Sequence, residues 1–247
     1  MPNVRAGRPE LWVVRLGIVD YDAALELQHR VRDARRDGRV PDVLLLLEHP
    51  PVYTRGRRSE DAELPMGEDW YAERGIAIRH VDRGGKVTYH GPGQLVGYPI
   101  LDTAVVERDV PKLVGAIELA LVRALADEGV EARPDPAGRG VWAGEGESGG
   151  KIGSIGLHVA SGVTTHGFAV NVDNDLQPFT WIKPCGLDDA ATSIAAQTGE
   201  PGHMKCFSKR VAFALASGLG LRQRLVSPER LEAALQPRPS DDLVLSR

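Results

Sequence analysis

Strand-like apolar runs and helix-periodic stretches alternate along this chain without settling into a repeated strand–helix–strand unit. That irregular interleaving restricts the fold more than any single motif does. LWVVRLG (11–17) and VLLLLEHP (43–50) read as strands, the second a buried run stopped by Pro50 and Pro51. Between them, Asp20 or Asp22 caps a helix with Ala24, Leu25, Leu27 and Val31 inward, ending at Gly38. WYAERG is a short helical piece and IAIRHVDR (76–83) a further strand. Asp109 followed by Pro111 opens the clearest helix, with Val110, Leu113, Val114, Ile117, Leu121 and Leu125 at helical spacing as far as Gly129. From 130 to 172 the pattern changes to short strands, VEARP, GRGVWAG, KIGSIGLHVA and GVTTHGFAVNV, with a hairpin turn at Ser161-Gly162. A last helix covers roughly 204–218, with Phe207, Val211 and Leu215 inward. The expectation is an α+β protein, a mixed central sheet flanked by helices, in one domain over 1–225. Residues 226–247 read as a C-terminal tail with few packing residues, expected to be loosely ordered.

Bulk properties exclude several classes. At 42% hydrophobic and 26% charged, the 247 residues have the composition of an ordinary globular protein with a full core. A net charge of −4 gives no reason to expect nucleic acid as a partner. No apolar run approaches the length that spans a bilayer, and MPNVRAGRPE lacks the apolar core of a secretory signal. Cys185 and Cys206, 21 positions apart, argue against both a disulfide-stapled fold and a zinc knuckle. A cytoplasmic monomer without a membrane partner is expected.

RGGKVTYHGPGQLVGYP (83–99) is the stretch richest in chemistry. Its glycines allow close ligand approach, while Arg83, Lys86 and His90 add charge and proton-exchanging groups, so it reads as a loop forming a cleft wall. Arg55, Arg57 and Arg58 lie close by and could steer an acidic partner, whereas the arginines from Arg30 to Arg39 read as a solvated helix face. Gly144, Gly146 and Gly149 fit G-x-G-x-x-G but lead into a strand pattern, and SGGK at Lys151 lacks the rest of a phosphate loop. Cys185, in WIKPCGLDD, sits in a turn-like segment unsuited to a core and is a candidate nucleophile needing a nearby base. Lys151, among glycines, is one such base; His90, His158 and His166 compete, and spacing does not choose between them. Cys206 reads as passive packing at the start of the last helix.

RGGKVTYHGPGQLVGYP, KIGSIGLHV, HGFAVNV and KPCGLDDAATSI, in this order, resemble the lipoyl(octanoyl) transferases over most of residues 11–220. The resemblance implies the catalytic-domain fold shared with lipoate and biotin protein ligases. It makes Cys185 the acyl-accepting nucleophile and Lys151 its acid/base partner. It places acyl-binding positions at Arg83, Gly84, Gly85, Lys86, Val87, Thr88, Tyr89 and His90, at Ser154, Ile155 and Gly156, and at Gly167, Phe168 and Ala169. It also implies octanoyl-acyl carrier protein as the phosphopantetheine-linked donor and apo lipoyl domains of 2-oxoacid dehydrogenase and glycine cleavage complexes as acceptors, with no cofactor or metal. An ATP-dependent lipoate or biotin ligase on the same fold is the alternative. His158 stands where arginine is frequent in the family, and the loop before Lys151 is long and glycine-rich.

Overall fold

The computed structural model describes residues 8–135, 140–145, 149–183 and 190–236. Eight strands form the main sheet: β1 (Glu10–Ile18), β2 (Asp42–Glu48), β6 (Gln94–Ile100), β7 (Ala132–Pro134), β8 (Gly140–Ala143), β9 (Gly150–Ala160), β10 (Val163–Asn171) and β11 (Arg222–Leu225). Their spatial order is β11-β1-β2-β6-β10-β9-β8-β7. The β1 strand runs parallel to both β2 and β11, and the remaining pairs are antiparallel. A second sheet of β3 (Val52–Arg55), β4 (Ala77–His80) and β5 (Val87–His90) has the order β4-β3-β5. The mixed-sheet α+β architecture expected from the interleaved pattern is what forms.

Alternation along the strands sends side chains to two cores. Leu44 and Leu46 pack with Ile117 and Leu121 of α3 (Val110–Ala126) and Phe207 and Val211 of α6 (Met204–Gly218). Val43, Leu45 and Leu47 face the other way, toward Ala24 and Val31 of α1 (Tyr21–Arg36). The first helix starts where Asp20 accepts hydrogen bonds from the N–H groups of Asp22 and Ala23, and Gly38 follows its end at φ 69°. In α3 the Asp109 carboxylate caps Lys112 N–H, with Pro111 in the first turn. Short helices α2 (Glu68–Ala72), α4 (Gln177–Thr180) and α5 (Ile194–Thr198) complete the cover. No helix among the described residues is long and apolar enough to cross a membrane.

Two expectations are corrected. The 83–99 stretch is a loop only in part: its second half is β6, a central strand with all seven residues buried, and β5 precedes it. A strand covered on both faces shows no apolar–polar alternation, which is why GQLVGYP reads as irregular. The chain passes between the sheets at Gly91-Pro92-Gly93, where Gly93 takes φ 84° and a Cβ would lie 2.7 Å from Asn174 N. The tail is likewise ordered at its start. Ser227 caps α7 (Pro228–Leu235), whose Leu231 and Leu235 are buried in the α1-side core. Residues 237–247 lie outside the described residues.

Pro99 shapes the neighbourhood of the cleft. It has no N–H to give β10, and the β6–β10 ladder stops at Gly97 opposite Phe168. Just beyond, His166 adopts φ 56°, and Gly167 packs so closely that a Cβ would lie 2.0 Å from Gly97 O and 2.5 Å from Pro99 Cδ. The closest obstacle is backbone and cannot swing away. Gly167→Ala is therefore expected to cost about 3 kcal/mol or more, read as a lowered midpoint in urea unfolding. A midpoint equal to wild type would show that the strand can shift without penalty.

Candidate active site

A cavity of about 690 Å³ separates the main sheet from the smaller one, a size typical of small-ligand sites. Its floor comes from β6 (Val96, Tyr98), β9 (Lys151 to Leu157) and β10 (His166 to Ala169, and Asn171). Its roof comes from Arg83 to Thr88, with His90, Phe179 and Ile182. A bulge aims the lysine. Trp142 pairs with Lys151 but Val141 pairs with Gly153, leaving Ile152 as the extra residue. Ile152 then drops into the α3-side core while Lys151 lines the cavity. Ser154, Gly156, Gly167 and Ala169 leave a trough with little side-chain bulk between the sheets.

The roof is anchored through a buried arginine. Arg83 Nη2 donates to Thr54 O (2.6 Å) and Thr54 Oγ1 (2.8 Å), and Nη1 donates to Gly84 O (3.0 Å). Burial lowers its pKa, and no carboxylate among the described residues pairs with it. Lys86 forms an ion pair with the buried Glu63 (Nζ–Oε1 3.2 Å), whose other oxygen accepts from Val87 N–H (3.1 Å). Arg58 N–H reaches Gly85 O at 3.2 Å, placing an exposed arginine at the cavity.

A hydrogen-bonded chain crosses the cavity floor. Gln94 Nε2 donates to Tyr89 O (3.1 Å) and Asn171 Oδ1 (2.9 Å), which leaves Gln94 Oε1 to accept from His90 Nδ1 (2.7 Å). Asn171 Nδ2 donates to Thr192 O (2.9 Å), and Thr192 N–H donates to Lys151 O (3.1 Å). The roof histidine and the lysine strand are thus held by one network. Burial, with the nearby His49 adding to it, brings His90 down to about 3.

That value makes a stability prediction. An unfolded imidazole titrates near 6.5 and the folded one near 3, so the unfolded chain binds the extra proton between these values. The contribution is complete above pH 6.5 and is lost as pH falls toward 3. Between pH 7.5 and pH 5, His90 alone is expected to remove about 2 kcal/mol. Burial lowers His49 and His166 too, so both act in the same direction. Urea melts at the two pH values measure the sum; a protein as stable at pH 5 as at pH 7.5 would contradict the assignment.

Every acyl-binding position implied by the resemblance lines the cavity except Tyr89. Its ring packs in the smaller core beside Tyr53 (5.5 Å) and Phe179 (5.5 Å). Lys151 lines the cavity; Cys185 lies outside the described residues. Of the competing histidines, His90 and His166 line the cavity and His158 does not. Cys206 is exposed rather than packed, because the inward face of α6 is carried by Phe207 and Val211. Arg30 and Arg35 pair with Glu232 and the buried Asp42, so the arginine face expected to be solvated is partly committed to ion pairs with neighbouring elements.

Sequence reasoning missed Gln94, Asn171, Tyr21 and Asp82. The first two sit inside the quoted motifs as GPGQ and AVNV and were legible as buried amides in strands. Tyr21 reaches the cavity from α1, where burial pushes its phenol up to about 12. Asp82 precedes the glycine-rich stretch. Burial acts to raise its carboxyl, but the hydrogen bond and charge of His166 hold it below the usual range.

A sheet of this order with a cleft under a small second sheet defines the lipoate ligase class of fold. A bipartite lipoate protein ligase from Thermoplasma acidophilum superimposes with a TM-score of 0.70 at 15% identity, covering 97% of this chain and 93% of that one. A lipoate-protein ligase A bound with ATP gives 0.69 at 16% identity, covering 96% and 95%. Residues 20–216 match the lipoyl protein ligase A/B catalytic domain. The octanoyltransferase of Solibacter usitatus is 50% identical over 182 residues, covering 74% of this chain and 81% of its own. That of Caldicellulosiruptor saccharolyticus is 39% identical over 235 residues, covering 94% and 98%. The chain belongs to the lipoyl protein ligase A/B catalytic domain family and, within it, to the octanoyltransferases.

Proposed function

We propose that this enzyme moves an octanoyl group from acyl carrier protein to a lysine amine of apo lipoyl domains, through a thioester on Cys185. One observation carries the reading. The backbone of Lys151 is bracketed by Ala190 and Thr192: Lys151 N–H donates to Ala190 O (2.8 Å), and Thr192 N–H to Lys151 O (3.1 Å). Ile182 and Ala191, on either side of Cys185 in sequence, both line the cavity. The five residue steps from Cys185 to Ala190 span at most about 18 Å, which supports placing the thiol within reach of Lys151.

The chemistry balances without an added reagent. Lys151 takes the Cys185 proton, and the thiolate attacks the donor thioester carbonyl. The carbon–sulfur bond to phosphopantetheine breaks, and the Lys151 ammonium returns its proton to the departing thiolate. An acceptor lysine amine then attacks the enzyme thioester, losing its proton to Lys151 as the amide forms. The Cys185 thiolate leaves and is reprotonated. Backbone N–H groups near Cys185 or in the glycine-rich segments would hold the oxyanion. A cytoplasmic setting and a monomer accompany this reading.

Intact-mass analysis after mixing with octanoyl carrier protein tests the proposal. A single octanoyl adduct is expected, lost on addition of apo lipoyl domain and absent from Cys185→Ala. Product formed instead from free lipoate and ATP, and indifferent to that substitution, would assign the ATP-dependent ligase reaction.

A further inference from the structure

The cavity floor follows β9 from Lys151 to Leu157, six residue steps or roughly 20 Å of strand. Part of that length is taken by the lysine itself. Its side chain lies over Gly140, where a Cβ would sit 2.8 Å from Cε and 3.3 Å from Nζ. Gly140 is the ladder partner of Ser154. From Ser154 to Leu157 roughly 10 Å remains. An extended octanoyl chain spans about 9 Å from carbonyl carbon to methyl, with C–C bonds of roughly 1.5 Å.

At Leu157 the floor meets the roof. Gly84 N–H donates to Leu157 O at 3.1 Å, and a Cβ on Gly156 would lie 2.8 Å from Gly84 O and 3.2 Å from Arg83 Cδ. The buried His166 ring lines this end, turned there by its left-handed backbone. His166 Nε2 donates to Asp82 Oδ1 at 2.6 Å, while Asp82 Oδ2 stands 3.5 Å from His158 Nε2. Asp82 does not itself line the cavity. It is the residue before Arg83, so one carboxylate ties the roof loop to both β9 and β10.

We infer that this Asp82–His166–His158 clasp forms the end wall of the acyl channel and sets the longest chain the enzyme accepts. The inference rests on the octanoyl-transfer reading above. Asp82 and His158 act as positioning residues: they hold the His166 ring and the Arg83–Gly84 turn across the path that a longer chain would take.

The test compares wild type, Asp82→Ala, Asp82→Asn and His158→Ala. Each is assayed with carrier protein bearing 8-, 10-, 12- or 14-carbon chains and an apo lipoyl domain as acceptor. Asp82→Ala is expected to raise the dodecanoyl-to-octanoyl ratio of kcat/KM about tenfold. His158→Ala should shift it less, in the same direction, and carries the test alone if Asp82→Ala is insoluble. Asp82→Asn keeps an oxygen for the His166 N–H and should stay within about twofold of wild type. An unchanged ratio in the alanine variants, or an equal loss at every chain length, overturns the clasp as a length stop while leaving octanoyl transfer standing. A wild type that transfers no chain of any length overturns both.

Discussion

Replacing Cys185 by alanine is expected to lower octanoyl transfer by at least about 10,000-fold, because under the proposed thioester mechanism it removes the intermediate and not merely one contact. The two histidines that line the cavity are poorly placed to substitute for it. The imidazoles of His90 and His166 are both buried; His90 is held by Gln94 and His166 by Asp82. Neither has a free path to become an acyl carrier. Lipoyl-domain mass shift over time, at saturating donor, measures the effect. Cys185→Ser sharpens it: a serine hydroxyl in the same place is a far poorer nucleophile at neutral pH, so turnover should stay near the alanine value. Retention of more than a few per cent of wild-type turnover by Cys185→Ala would mean that the acceptor amine attacks the donor thioester directly.

How far the sequence alone could be read follows from where each signal is local. The α1, α3 and α6 helices announce themselves through 3.6-residue periodicity together with Asp20, Asp109 and Gly38 at their ends, signals that need no tertiary context. The β9–β10 hairpin is equally explicit at Ser161-Gly162. The β6 strand is not, because burial on both faces erases alternation and Gly97 and Pro99 look like breakers. Gly97 is required by the Phe168 ring, whose Cζ would lie 2.1 Å from a Cβ there, a contact arising from a residue far away in sequence. The exposed edge strand β11, RQRL, carries no apolar pattern at all.

The candidate site divides in the same way. Arg83, His90 and Lys151 stand out by residue type within glycine-rich segments. Asp82 and Asn171 matter only through partners brought in by the sheets, His166 and Gln94, which no spacing rule connects. Tyr89 fails for the opposite reason: it belongs to the motif, but strand alternation turns it into the smaller core while Thr88 and His90 reach the cavity.

Lys151→Ala is expected to reduce turnover by about 100- to 10,000-fold, the range over which a positioned acid/base contributes. Folding should be little affected. What ties Lys151 into the structure is its backbone, through Ala190 O and Thr192 N, and any residue can make those bonds. Its ammonium has no carboxylate partner among the described residues, so its removal leaves no orphaned charge. Lys151→Arg should not rescue activity, since guanidinium stays protonated and cannot take the Cys185 proton. The two half-reactions separate the roles. If Lys151 serves both, the variant forms the octanoyl-enzyme slowly and also passes it slowly to the lipoyl domain. Rapid acylation with slow transfer would confine the lysine to the second step. Unaltered rates in both would assign the proton transfers to another base.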